Sequence, residues 1–220
     1  MKKYLQILKK CPLFLGIDEN DLSVMLGCLG ARVETFDKRY TIFAEGNPAK
    51  YIGIVLSGTA QTVANDYYGN RSILATSSVA DLIGETFACA DVESIPVSVV
   101  AHEPCEVMFI ECQRILRSCS NACGFHATMI FNLMKDLAKK NIMFHERIEI
   151  TSKRTTREKL LAYLAVRARV SDSSSFDIPF DRQELADYLE VDRSGLSAEI
   201  GKLKKEGVID CRKNRFKIHI

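Results

Sequence analysis

Asp181-Arg-Gln-Glu-Leu-Ala-Asp-Tyr-Leu-Glu-Val-Asp-Arg-Ser-Gly-Leu-Ser-Ala-Glu-Ile-Gly-Lys-Leu203 predicts two short helices joined by a tight turn. Leu185, Ala186 and Leu189 give the first helix one apolar face, and Leu196, Ile200 and Leu203 do the same for the second. Asp181 followed by Glu184 has capping-box spacing, Asp192 is a natural N-cap for the second helix, and Gly207 ends it. Arg193, Ser194 and Ser197 start the second helix and point away from its apolar stripe. Bases are read at that end of a recognition helix, where an arginine reaches O6 and N7 of guanine and hydroxyls reach phosphates or bases. Two readings follow: a DNA-reading pair, or an ordinary helical hairpin whose basic residues are solvated. Gly195 costs this helix about 1 kcal/mol against alanine; it either admits DNA closely or is simply tolerated.

The flanks favour DNA. Val208 to Ile220 reads as two short apolar strands around the polar turn Arg212-Lys213-Asn214-Arg215, a basic wing in which Lys213 and Arg215 are further candidate DNA contacts. Residues 151–220 carry 15 Lys+Arg against 11 Asp+Glu, whereas residues 1–150 carry 15 against 17, so positive charge gathers at the predicted DNA-binding end.

With 220 residues and 47% apolar content the chain can fill two small cores. No apolar run approaches about 20 residues and the N-terminus lacks a signal-peptide core, so a cytoplasmic protein without membrane contact is expected. The eight cysteines are scattered, which predicts reduced thiols rather than a disulfide framework. Residues 1–28 read as helical. From 30 to 112 short β-rich runs appear at 40–43, 51–56, 59–63, 72–74, 97–101 and 105–110, with turns between them. This spacing predicts an antiparallel sandwich or barrel.

A long helix is expected from about Ser120 to Ile150. Cys123, Ala127, Ile130, Met134, Leu137, Asn141, Phe144 and Ile148 follow a heptad repeat, and Met129, Leu133 and Ala138 form a second stripe suited to packing on the sheets. The seam fits a parallel dimer with Asn141 fixing register; the alternative is a helix packed wholly within its own chain. His145 and Arg147 read as lying on solvated faces or near a hinge at Thr151–Thr156.

Sheet domain, long helix and winged helix-turn-helix together resemble the Crp/Fnr family of bacterial transcription regulators over nearly the whole chain. Ile52–Gly58 is similar to the strand and turn before the β-roll centre, Leu82-Ile-Gly-Glu85 to the effector-pocket signature, and Asp181–Ala186 with Asp192–Ser194 to the DNA-binding signature. Cys119–His126 and Lys153–Leu164 look most like the clostridial and related Firmicutes branch. The resemblance implies an α+β fold. A β-roll of the cyclic-nucleotide-binding, double-stranded β-helix kind would span 1–118, a dimerisation helix 119–150 and the winged helix-turn-helix 151–220. It also implies a homodimer on a pseudo-palindromic double-stranded DNA operator, with RNA polymerase as partner if promoters are activated. Arg182 and Gln183 would contact the backbone and groove edge, Arg193 a guanine, and Ser194 and Ser197 the remaining positions. Ala198 departs from the family, which often has a second arginine there.

The effector site departs further. Cyclic-nucleotide binders of the superfamily cap the ribose with a Gly-Glu pair, here Gly84 and Glu85, and neutralise the phosphate with an Arg-Ser or Arg-Thr pair about ten residues later. Ile95 and Pro96 stand there. A buried phosphate would lack its cation, and proline lacks a backbone donor, so cyclic AMP is not expected. The pocket expected for another small molecule comprises Gly84, Glu85, Thr86, Phe87 and Ser98 with Asn141, Ile142 and Phe144. Glu85 is open between ligand acceptor and turn residue. Alternatives are a thiol- or metal-based redox sensor using Cys112, Cys119, Cys123 and His126, and a cyclic-nucleotide module without DNA binding. No cofactor, metal or catalytic residue is assigned. A cupin-like oxygenase needs two histidines and a carboxylate, and residues 1–115 contain only His102.

Overall fold

The computed structural model describes residues 2–116 and 125–219. A 3-10 turn (Lys2–Tyr4), α1 (Leu5–Leu8), a second 3-10 turn (Pro12–Phe14) and α2 (Glu19–Cys28) open the chain. There follow β1 (Arg32–Phe36), β2 (Thr41–Phe43), β3 (Tyr51–Ser57), β4 (Ala60–Asn65), β5 (Arg71–Ser77), β6 (Leu82–Ile83), α3 (Glu85–Cys89), β7 (Ser98–Ala101), β8 (Cys105–Glu111) and α4 (Cys112–Leu116). The long helix is α5 (Phe125–Thr151). After it come α6 (Thr156–Ser171), β9 (Ser175–Asp177), α7 (Arg182–Leu189), α8 (Arg193–Lys205), β10 (Ile209–Arg212) and β11 (Arg215–Ile218).

Contacts divide the chain into two compact units, residues 1–70 with 74–141 and residues 71–73 with 142–220. The division falls within α5.

In the first unit four-stranded sheets of order β1-β8-β3-β6 and β2-β7-β4-β5 form the roll. β3 lies inside its sheet, paired antiparallel with β8 and β6, which is why Ile52, Ile54, Val55 and Leu56 form an unbroken apolar run rather than an alternating one. Gly58 closes β3 at φ +71°, and a side chain there would run into the Pro104 carbonyl. One core joins Leu8, Leu13, Phe14, Leu22 and Met25 of the N-terminal segment to Ile52, Ile54, Met108 and Ile110 of the sheet and to Met129 and Leu133 of α5. The second stripe of α5 therefore packs on this unit through Met129 and Leu133, whereas Ala138 is exposed. The expected stripe ends early because Asp136 and Lys140 take the next inward positions.

In the second unit α6, α7 and α8 pack with a three-stranded sheet of order β10-β11-β9. β9, absent from the sequence reading, pairs with β11 through Phe216 opposite Phe176. Leu160, Leu164, Leu185, Leu189, Leu196, Leu203, Ile209 and Phe216 are fully buried. Tyr163, Phe180 and Tyr188 stack beside one another with ring centroids 4.9–6.3 Å apart. Residues 152–155 break α5 from α6, and Thr155 starts α6 through a capping box with Glu158. Arg147 corrects the solvated-face expectation. It is buried, donates to the Ile73 carbonyl and to Glu190 (3.2 Å), and its guanidinium lies 4.9 Å from the centre of the Tyr188 ring. His145 is exposed, as expected.

Candidate nucleic-acid interface and effector site

Both caps expected of the helix pair are made. Asp181 accepts from the Glu184 N–H (2.9 Å) while Glu184 accepts from the Asp181 N–H (2.9 Å), and Asp192 accepts from the Gly195 N–H (2.8 Å) and the Ser194 hydroxyl (2.5 Å). These hydrogen bonds, the Ser194 hydroxyl first, hold the Asp192 carboxyl below the ordinary aspartate range. At Gly195 a methyl group would crowd the Asp192 carboxylate that caps the helix. Arg193, Ser194 and Ser197, with Asp192, line an open concavity of about 470 Å³. All four are exposed, and the Arg193 guanidinium has no hydrogen bond or ion pair among the described residues.

The other predicted DNA residues are engaged differently. Arg182 leans on the wing, its guanidinium 5.2 Å from the centre of the Phe216 ring and donating to the Lys213 carbonyl at 3.4 Å. Gln183 donates to Asp187 one turn on (2.8 Å). β10 and β11 form the expected wing with Lys213 and Asn214 at its tip; Lys213 has φ +52°, and Arg212, Lys213 and Arg215 are all exposed. Ala198 is exposed and offers no polar group. Lys204 and Lys202 add charge towards the end of α8, although Lys202 pairs with Glu199 and Lys204 donates to the Cys211 carbonyl.

In the roll, Gly84 has φ +75°, and a Cβ there would lie 2.9 Å from the Phe43 ring, so both backbone and space demand glycine. It turns the chain from β6 into α3 and aims Glu85 inward. Glu85 is 3% exposed. Its Oε1 accepts from the Thr86 hydroxyl (3.0 Å) and lies 2.9 Å from Lys140 Nζ. Lys140 also donates to the Leu82 carbonyl (2.9 Å) and stands 3.3 Å from Asp136 Oδ2. One ammonium thus serves two buried carboxylates, leaving Glu85 Oε2 without a hydrogen-bond partner among the described residues. Burial, only partly opposed by Lys140, raises the Asp136 pKa above its ordinary value.

This cluster surrounds Glu85 of the predicted effector signature. Lys140, which sequence reasoning missed, holds Glu85 and stands 3.3 Å from Asp136, also missed, and the Ser98 hydroxyl accepts from the Glu45 N–H (3.1 Å). Phe87 is half-buried against a small cluster formed by Ala49, Ile95 and Val97. Ile95 at 2% exposure is core, with no cation in its place. Asn141, Ile142 and Phe144 are exposed on α5. Asp136 and Lys140 carried a legible signal, an i,i+4 acid–base pair; nothing local linked it to Glu85. A groove of about 340 Å³ lined by residues including Arg32, Tyr40, Phe43, Tyr51 and Phe109 contains none of the predicted effector residues.

Of the predicted seam, Ile130 and Leu137 are half-buried, while Met134 (57%), Phe144 (40%) and Ile148 (63%) remain open on the single chain. His126 bonds the Arg114 carbonyl (3.2 Å). Cys119, Cys123 and the predicted start of the helix lie outside the described residues. Among the described residues no group of three or more potential ligands is placed to hold a metal, and no helix is long and apolar enough to cross a membrane.

Residues 33–121 match the cyclic nucleotide-binding domain family and residues 158–220 the Crp-like helix-turn-helix domain family. Electron transport regulator A of Shewanella oneidensis is 23% identical over 207 residues, 91% of this chain and 79% of its own length. Transcriptional activator protein FnrL of Cereibacter sphaeroides is 33% identical over 78 residues, covering 31% of this chain and 32% of its own. The global regulator CLP of Xanthomonas campestris, described as c-di-GMP responsive, superposes with a TM-score of 0.73 at 15% identity, covering 90% of this chain and 98% of CLP. At that identity the likeness is one of fold.

Proposed function

The chain belongs to the Crp/Fnr family and is a DNA-binding transcription regulator of that type, and from that footing we propose that it acts as a cytoplasmic homodimer on a pseudo-palindromic operator under control of a small-molecule effector other than cyclic AMP. The observation that carries the DNA part is the unengaged Arg193 guanidinium beside the Ser194 and Ser197 hydroxyls, on a helix start fixed by the Asp192 cap. Arg182 and Gln183 flank it as contacts to the backbone and groove edge, with Lys213 and Arg215 on the wing. The open heptad positions Met134, Phe144 and Ile148 support a second copy along α5, with Asn141 setting register. Two-fold symmetry then places half-sites about one helical turn apart.

Against cyclic AMP stand the buried Ile95, the donorless Pro96, and a Glu85 already held by Lys140 and Thr86. The effector would meet Gly84 to Phe87 of the roll, and would act by favouring one of two states of the dimer. RNA polymerase becomes a partner if promoters are activated. Cys119–His126 and Lys153–Leu164 favour the clostridial and related Firmicutes branch.

The test is operator selection from a random duplex library, followed by titration of the wild type and Arg193→Ala on the selected site. Loss of one guanine contact should cost about 1–3 kcal/mol, roughly 5- to 150-fold in affinity, and relax preference at one base per half-site. Equal affinity and unchanged preference would remove Arg193 from base reading.

A further inference from the structure

Cys89 ends α3 and Cys112 begins α4, 23 residues apart in sequence, yet their Sγ atoms lie 3.8 Å from each other. Cys89 is half-buried and reachable from solvent; Cys112 is 1% exposed. Rotation of one or both side chains has to close the gap to about 2.05 Å for a disulfide. From these positions we propose that Cys89 and Cys112 form a reversible redox pair, oxidised to an intramolecular disulfide by a hydroperoxide. This deepens the thiol-sensing alternative and names the residues that would carry it.

The two cysteines have unequal roles. Of the two, only Cys89 is open to an oxidant from solvent, since Cys112 is buried, and the thiol–thiol contact between them favours ionisation of the outer cysteine. Cys89 is therefore the thiolate that attacks. Its sulfur bonds to one peroxide oxygen as the O–O bond breaks; the other oxygen leaves and takes up a proton as water or an alcohol. This gives a sulfenic acid at Cys89. With the Cys89 charge gone, Cys112 sheds its proton and attacks the sulfenic sulfur. The S–S bond forms, the S–O bond breaks, and the hydroxyl departs with a proton as water. Two thiols lose two electrons and the peroxide gains them. An external dithiol reverses the change. The cross-link joins the end of α3 to α4, and α3 begins at Glu85, the residue that grips Lys140 of α5.

The experiment is peptide mapping of the full-length protein after stepwise hydrogen peroxide, with free thiols alkylated under denaturing conditions. The expected result is a Cys89–Cys112 linked peptide that appears before Cys28, exposed at the end of α2, is oxidised, and that dithiothreitol removes. Cys112→Ser should instead accumulate a sulfenic acid at Cys89 trapped by dimedone; if that variant does not fold, the wild-type map alone decides. First oxidation at Cys28, at Cys211 beside Arg182, or at Cys119 or Cys123, with Cys89 and Cys112 still alkylated, would overturn the assignment, as would a Cys89 sulfinic acid formed without the cross-link. The map involves no DNA, so its failure is distinct from failure of the DNA-binding model.

Discussion

Replacing Lys140 with methionine would test the buried cluster at the effector signature. The lysine contributes three contacts: Glu85 at 2.9 Å, Asp136 at 3.3 Å and the Leu82 carbonyl at 2.9 Å. Removing one partner of a fully buried ion pair costs about 3–5 kcal/mol. Lys140 keeps a quarter of its side chain exposed, so solvent screening lowers the expectation to about 2–3 kcal/mol, including the Leu82 carbonyl left without this donor. For a chain of this size that is a drop in Tm of roughly 4–12 °C. The pH dependence carries the sharper test. The folded pKa of Asp136 already lies above its ordinary value; without Lys140 it rises further, so the charged form penalises the folded state above that raised pKa. The penalty fades as pH falls through it towards about 4. Urea unfolding of wild type and Lys140→Met at pH 7 and at about pH 4.5 should therefore show a gap that narrows in acid, and Lys140→Met with Asp136→Asn should recover part of the loss at pH 7. Equal stability at pH 7, or a gap that widens in acid, would refute the cluster's energetics.

Asp192→Ala should destabilise the protein through loss of the α8 cap. Because the folded Asp192 pKa is lowered, that difference should hold above about pH 5 and vanish as pH falls through the folded value, read by chemical unfolding of the C-terminal unit. Gly84→Ala should destabilise by about 2–3 kcal/mol, combining the left-handed backbone with crowding against Phe43; a melting temperature equal to wild type would show that the turn relaxes freely. Met134→Lys with Ile148→Lys should give monomers by light scattering at micromolar concentration, whereas a retained dimer mass would place the interface elsewhere.

The helix pair was legible because all its determinants are local: caps three residues apart and apolar positions one turn apart. The central strands were legible because β3 and β8 are nearly continuous apolar runs. β1 was not: Arg32, Glu34 and Thr35 are exposed and mask a strand defined by its pairing with β8. The two-residue β6 and five-residue α3 and α4 are too short for any periodicity to register. The same limit governs the site. Gly84 and Glu85 could be named from the family resemblance, but Lys140 lies 55 positions beyond Glu85 and meets it only through the fold. Arg147 looked like a surface charge for the same reason, its partners being a carbonyl in β5 and a residue just past α7.

The start of α8 also limits how much sequence the protein can spell out in an operator. With no side chain at Gly195 and Ala198 apolar, the exposed start of α8 offers one guanidinium and two hydroxyls. A good bidentate contact discriminates by about 1–3 kcal/mol, so two symmetric copies supply about 2–6, against about 4–10 separating specific from nonspecific binding in typical cases. On the proposed dimer, the shortfall falls to the mechanics of the duplex: flexible steps between the half-sites should matter although no side chain reads them. Operators altered only at those central steps would show it as a change in affinity, and indifference to them would mean that the wing reads more than charge.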